Sequence, residues 1–502
     1  MQGALMVCGT ASDVGKSRLV AGLCRILARQ GVAVAPFKAQ NMSLNSTVTR
    51  SGHEIARSIA HQAVAARTEP AVEMNPILLK PSGERTSQLI LMGQSAGEIT
   101  AGADWPASPV LAETVLGALS ALRRRYGVVV LEGAGGAAEI NLLARDLANL
   151  PLAAAAGLPA VLVGDIERGG VFAAIYGTVA LLPKQLRSPL RGFVVNKFRG
   201  DPQLLAPGIA ELEHRLQLPC FGVLPHLGEL AVDEEDSLAL GRAAPWSRPV
   251  ASTTARLDAA VVALPHLSNF TDFDPLRAEE GVALRYVAHA CELGDPDLVI
   301  LPGSKTTVLD LEWLRAVGLD RAIAQASRRD ATVLGICAGY QMLGTHIFDE
   351  VESRAGEVAG LGLLEVRTSF AREKTTRWRQ GTSAFGELVA GYEIHHGRPV
   401  ADRVVPPFLL GGGSADEPPE GVADHARAIF ATSLHGLFEN DGFRRAFLSQ
   451  VASRRNKDFK ASPVTFAERR EAAIERVADA LEAHLDLEAL FALFSEATRG
   501  AR

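Results

Sequence analysis

The sequence predicts an α/β protein of two doubly wound domains followed by a helical C-terminal segment, and three observations carry that prediction. Short apolar runs of strand length alternate with helically spaced segments over most of the chain, the order that gives parallel sheets with right-handed crossovers. An apolar run at residues 4–8 leads into a glycine loop and then a periodic helix. A second run, Thr332-Val-Leu-Gly-Ile336, breaks at a cysteine flanked by glycines and resumes with helical spacing to Gly344.

Composition sets the outer bounds. A chain of 502 residues exceeds one ordinary domain. At 47% hydrophobic and 22% charged, it has the make-up of a globular enzyme. No apolar run reaches the length of a membrane span, and the N-terminus lacks the flanks of a signal peptide. A net charge of −6 without a long basic run argues against nucleic acid as a partner. Five cysteines without paired metal-ligand spacing read as reduced thiols in a cytoplasmic protein, most of them in the core.

In chain order, the first strand feeds Gly9-Thr-Ala-Ser-Asp-Val-Gly-Lys-Ser17 and a helix ending near Arg29. Strand, glycine loop and helix in that order make a phosphate cradle. Gly9, Thr10 and Gly15 shape the loop, Lys16 offers a point charge to the terminal phosphates, and Ser17 offers a hydroxyl to magnesium. Five residues rather than the usual four separate Gly9 from Gly15.

A second strand, 32–37, ends at Lys38-Ala-Gln-Asn-Met-Ser-Leu-Asn45, a polar loop where parallel sheets bind ligands. Lys38, Gln40 and Asn41 are the substrate-binding candidates there, and a helix follows from about His53 to Ala66. The strand Val128–Glu132 ends on a carboxylate opposite the phosphate loop, where a second magnesium contact is needed. Asp165 ends the next strand in a similar place, although a carboxylate there also serves as a helix cap. Asn196, Lys197 and Asp201 follow a further strand, with Asn196 the candidate for the nucleotide. The first domain spans 1–240, and a linker rich in proline and small residues occupies 241–256.

The second domain, 257–445, contains the sharper motif. Gly335 and Gly339 permit a tight elbow that exposes the Cys337 sulfur, and the following helix points its N–H groups at that sulfur. A free cysteine is more often a core residue, so Cys337 needs partners. His435, ending the apolar run from 428, is the candidate base, and Gly303 and Ala338 are the candidate oxyanion donors. His395 and His396 have no role by sequence. Residues 446–502 read as helices with one solvated face.

These residues carry a resemblance. Gly335-Ile-Cys-Ala-Gly-Tyr-Gln-Met-Leu-Gly344, Leu301-Pro-Gly-Ser304 and Ser433-Leu-His-Gly436 resemble class I glutamine amidotransferase domains. The Gly9–Ser17 loop and Glu132-Gly-Ala-Gly-Gly136 resemble the dethiobiotin synthetase-like ATP-binding domain. Joined in one chain with Gln40-Asn-Met-Ser-Leu-Asn45 and Ser268-Asn-Phe-Thr-Asp-Phe-Asp-Pro275, they resemble the cobyric acid synthase family over nearly the whole length.

The resemblance implies ATP- and magnesium-dependent amidation of the b, d, e and g carboxylates of adenosylcobyrinic acid a,c-diamide, with glutamine as nitrogen donor and adenosylcobyric acid as product. It implies that Cys337 attacks glutamine, that His435 moves protons, and that the first domain forms an acyl phosphate. A homodimer is compatible with it. Many class I amidotransferases carry a Glu two positions after the catalytic His, where this chain has Leu437; the expectation is a Cys–His pair oriented by some other group. Two other readings stand beside this one. A related amidoligase is disfavoured by the 40–45 and 268–275 stretches, and a nucleotide-switch ATPase would have no use for Cys337 and His435.

Overall fold

The computed structural model describes residues 1–83, 85–100, 109–228, 256–401, 406–411 and 418–499. The linker expected at 241–256 therefore lies, except for its last residue, outside the described residues.

The first unit is a six-stranded parallel sheet in the order Cys220–Pro225, Leu190–Phe198, Ala160–Asp165, Gly3–Gly9, Val128–Glu132, Val34–Phe37. Its central strands are buried along nearly their whole length, which is why they read as continuous apolar runs rather than as alternation. Strand order reverses at Gly3–Gly9, so the loops after it and after Val128–Glu132 flank the crevice where such sheets bind ligands. The helix Lys16–Arg29 starts at that crevice and buries Leu19, Val20, Leu23, Ile26 and Leu27 against the sheet.

The polar stretch after Phe37 departs from the expected loop. Gln40–Met42 pairs in parallel with Ile77–Pro81, the first member of a small sheet continued by Thr86–Leu91 and Gln94–Thr100. The helix expected from His53 begins instead at Arg57, because Glu54–Ala56 pairs with Ser46–Val48.

The second unit has its own six-stranded sheet in the order Val282–Val287, Leu257–Val262, Leu298–Leu301, Thr332–Ile336, Ile429–Thr432, Val422–Asp424, with only the last pairing antiparallel. A long hairpin, Val366–Ser383 with Leu388–Ala401, builds a further five-stranded sheet and reaches toward the first unit. No sequence pattern announced it.

The C-terminal segment divides between the units. Asp441–Arg454 buries Phe443, Phe447, Leu448 and Val451 in the second core. Phe466–His484 starts at a capping box of Thr465 and Glu468 and, with Leu487–Arg499, returns to the first unit. There Ile474, Val477, Leu481, Leu490 and Phe494 share one buried cluster with Leu5, Val7, Leu23 and Ile26. Arg25, fully buried on the first helix, is paired with Glu471 and Glu475 across this seam.

Candidate active sites

The phosphate loop closes on Gly15, which has φ of 96° and no side-chain cap, so the N-terminus of the following helix faces the crevice. Lys16 Nζ donates to the carbonyls of Ala11 at 3.0 Å and Gly135 at 2.9 Å, which holds the ammonium across the loop. Ser17 Oγ donates to Glu132 Oε1 at 2.9 Å, and Lys38 Nζ lies 2.8 Å from the same oxygen. Gln62 donates to Glu132 Oε2. A buried carboxylate beside a hydroxyl at the mouth of a phosphate loop is a hard-oxygen donor pair that suits magnesium, which completes its shell with phosphate and water. Among the described residues no cluster of three or more His, Cys, Asp or Glu makes a metal site of another kind.

Thr10 donates its amide to Val163 O at 2.9 Å, and Gly9 O accepts from Ala137, so the loop is fixed to the strands on both sides. Asn196 braces it from beneath: Nδ2 donates to Val14 O at 2.8 Å and Oδ1 accepts from the Lys197 amide. Lys197 pairs with Asp165 at 2.9 Å, and Asp201 caps Gln203. A cleft of about 1280 Å³ opens over the loop. Lys38, Gln40 and Asn41 line it, although Asn41 is buried with its amide 3.4 Å from Ser58 Oγ.

In the second unit the elbow forms as its glycines require. Cys337 sits at φ 52°, ψ −107°, a conformation non-glycine residues rarely hold. A Cβ on Gly339 would stand 1.9 Å from Leu301 O, so only glycine lets the elbow pack on the neighbouring strand. Gly339 N donates to Pro302 O at 3.1 Å, which ties the elbow to the turn that carries Gly303. A Cβ on Gly303 would lie 2.9 Å from His435 Cε1, so the histidine packs directly over that turn.

The strand leading to His435 stops at Thr432, short of the end expected, and His435 beyond it pairs with Tyr392 in an isolated antiparallel bridge. The histidine lies beside Cys337, whose interaction adds to the raising of its pKa. His435 Nδ1 is 2.7 Å from Asp272 Oδ2, and Asp272 Oδ1 accepts from the Gly436 amide at 2.9 Å. Burial acts to lower His435, yet the charge and hydrogen bond of Asp272, with Cys337, outweigh it and raise the group to about 10. Asp272 is thus the orienting group that sequence reasoning left without a name. Its available signal was an aspartate between two phenylalanines, Phe270-Thr-Asp-Phe273, in a stretch already notable. Glu439 instead pairs with Arg57 and Arg470.

A small pocket beside Cys337 is lined by Ser304, Lys305, Gln341, His395 and His396, and also by Lys80 of the first unit. Lys80 and Lys374 both pair with buried Glu54, at 2.8 and 2.6 Å, so the two units meet in an ionic cluster at this pocket. Burial lowers Lys374 to about 8, with Lys80 adding to the effect and Glu54 opposing it. Burial also lowers His395 to about 4, leaving it neutral. By contrast, burial pushes the Cys8 and Cys24 thiols far up, as suits core residues.

Residues 5–238 match the CobQ/CobB/MinD/ParA nucleotide binding domain, and residues 258–443 match the CobB/CobQ-like glutamine amidotransferase domain. The chain is 50% identical over 502 residues to a Streptomyces avermitilis protein named cobyric acid synthase, covering 98% of this chain and 96% of the relative. Relatives of the same name from Streptomyces coelicolor, at 50%, and Nocardia farcinica, at 49%, are covered to the same extent.

Proposed function

The chain belongs to the cobyric acid synthase family, and from that premise we propose that it amidates the b, d, e and g carboxylates of adenosylcobyrinic acid a,c-diamide in the cytoplasm. As a family member it is a glutamine amidotransferase and ligase of cobalamin biosynthesis with an ATP-binding domain. The observation that carries the finer reading is the Cys337–His435–Asp272 array, whose pocket is lined in part by the ATP-binding unit.

Cys337 attacks the glutamine amide carbon, and Gly303 and Ala338 face the oxygen that takes up negative charge. His435, charged through its contact with Asp272, gives its proton to the departing nitrogen, which leaves as ammonia. The glutamyl thioester is then opened by water, whose proton passes to His435 as the thiolate is regenerated.

In the first unit a corrin carboxylate oxygen takes the terminal phosphoryl group of ATP, giving an acyl phosphate and ADP. Ammonia adds to the acyl carbon, phosphate leaves with the C–O electron pair, and one proton is lost. The chain's own part is positioning: Lys16 neutralises the phosphates, the amides at Gly15 and beyond hold them, and Lys38 stands where the carboxylate must approach. Ser17 and Glu132 would hold magnesium, which draws charge from the phosphates when bound. The cleft is larger than the usual range of small-molecule sites, roughly 300–1000 Å³, as a nucleotide together with a macrocycle requires. Its wall of Gln40, Met42, Pro81, Arg85 and Thr86 faces the phosphate loop, with Met42 exposed as an apolar contact for a flat ring.

Mass spectrometry of the corrin after incubation with magnesium ATP and either glutamine or ammonium tests this reading, since each amide exchanges a hydroxyl for an amino group. Stepwise conversion with both donors is expected. ATP hydrolysis with no change in the corrin would replace the proposed substrate.

A further inference from the structure

Building on the glutaminase reading above, we propose that residues Leu44–Thr47 of the ATP-binding unit form a positioning element for the Asp272–His435 pair, with Asn45 and Thr271 as positioning residues. Asp272 stands on a short 3-10 turn, Phe270–Phe273, entered through Asn269 at φ 54°. A single such turn has little rigidity of its own. In its own unit the turn is held by Phe270 and Phe273, buried in that unit's core, by Ser268 N donating to Gly303 O at 2.9 Å, by Asp272 N donating to Asn269 O at 2.9 Å, and by the Gly436 amide donating to Asp272 Oδ1 at 2.9 Å.

Further anchors come from the first unit. Thr271 Oγ1 donates to Asn45 Oδ1 at 3.1 Å, Asn269 Nδ2 donates to Ser46 O at 2.6 Å, and Asn269 N faces Leu44 O at 3.4 Å. The platform under His435 hangs on the same residues. Tyr392 stacks on the imidazole with ring centres 5.5 Å apart and exchanges both backbone hydrogen bonds with it. The Tyr392 hydroxyl donates to Ser46 O at 3.0 Å and accepts from Asn269 at 2.7 Å. All of these side chains are buried, so no water competes for the bonds. Asn45 O in turn accepts from the amide of Arg57, the first residue of the helix that carries Gln62 to Glu132. The glutaminase acid–base pair is therefore held from the domain that consumes its ammonia.

The test compares Thr271→Val, Thr271→Ser, Asn45→Ala and the double variant Asn45→Ala with Thr271→Val, all in the full chain. Glutamate release gives kcat, KM and a pH profile, and ammonium-driven amidation reports on the first unit. Besides Asp272 and Cys337, the titratable groups facing His435 are His395 and the Tyr392 hydroxyl. Expected for Thr271→Val is a fall of about tenfold in glutaminase kcat with little change in glutamine KM. The alkaline limb of the profile moves toward neutrality, because a displaced Asp272 raises His435 less. Thr271→Ser restores both, and the double variant is no worse than the poorer single one. The proposal is overturned if Thr271→Val leaves kcat and the limb unchanged, lowers kcat without moving the limb, or impairs ammonium-driven amidation equally. It is also overturned if the double variant loses the sum of the single effects. Absence of glutamate release from the unmodified chain would overturn the parent reading as well, which separates the two failures.

Discussion

The two sheets place chemistry at the same end of their strands and do so by opposite means. In the first, side chains act as counter-charges waiting in a wide cleft: Lys16 is held by carbonyls, and Glu132 by Ser17, Lys38 and Gln62. In the second, backbone geometry does the work, with Cys337 held at positive φ and His435 buried between Asp272 and the cysteine. Large anionic ligands need a site that exchanges ion pairs on binding. A small neutral amide needs a nucleophile that is already aimed.

The comparison is sharpened most by removing the proposed nucleophile. Cys337→Ala should lower glutamate release by about a thousandfold or more while ammonium-driven amidation continues, as followed by corrin mass. Loss of both activities would mean that the sites are not separable. Lys16→Ala should lower amidation from either donor by about a hundred- to a thousandfold, the size expected when a preorganised charge is lost; a donor-dependent loss would contradict its place at the phosphates.

Asp272→Asn tests how far the second site depends on aim. Glutaminase kcat should fall by about a hundredfold or more, as for other orienting carboxylates. The sign of the pH effect follows from the raised His435. The carboxylate beside it holds the imidazolium needed to protonate the leaving nitrogen to higher pH in the unmodified chain. Without the carboxylate it is lost at lower pH, so the alkaline limb moves toward neutrality, as a rate profile for glutamate release would record.

The smallest effect belongs to the seam behind the first site. Arg25→Ala strands Glu471 and Glu475, but both are partly exposed, so solvent softens the loss. About 1–3 kcal/mol is expected, as for a buried partner removed from a hydrogen-bonded charge pair. It should appear as a lower denaturant midpoint for the first unit, with glutaminase retained in the absence of denaturant.

What the sequence disclosed follows the same division. The phosphate loop and the elbow were legible because each is local: glycines at fixed offsets are demanded by a turn the chain makes within ten residues of itself. Glu132 was legible as a strand-end carboxylate in a recognisable strand. Asp272 was not, since its partner His435 lies 163 positions away and only the tertiary return brings them together. Lys80 and Lys374 were hidden for the same reason, and Lys374 more so, because its long hairpin strand alternates too irregularly to read as one. Polar residues 38–45 misled in another way: their strand is made by backbone pairing with 77–81, which composition does not record.

The return of the last helices to the first strand has a consequence for biosynthesis. Gly3–Gly9 leaves the ribosome long before the residues that cover it, Leu490 and Phe494 among them. The second unit has its sheet contiguous in sequence and can assemble while translation proceeds. The first must wait with apolar surface uncovered until the helices over 466–499 have been made. Loop closure over such a span is slow relative to local folding, so the nascent nucleotide-binding unit is the part of this protein with most to gain from a chaperone.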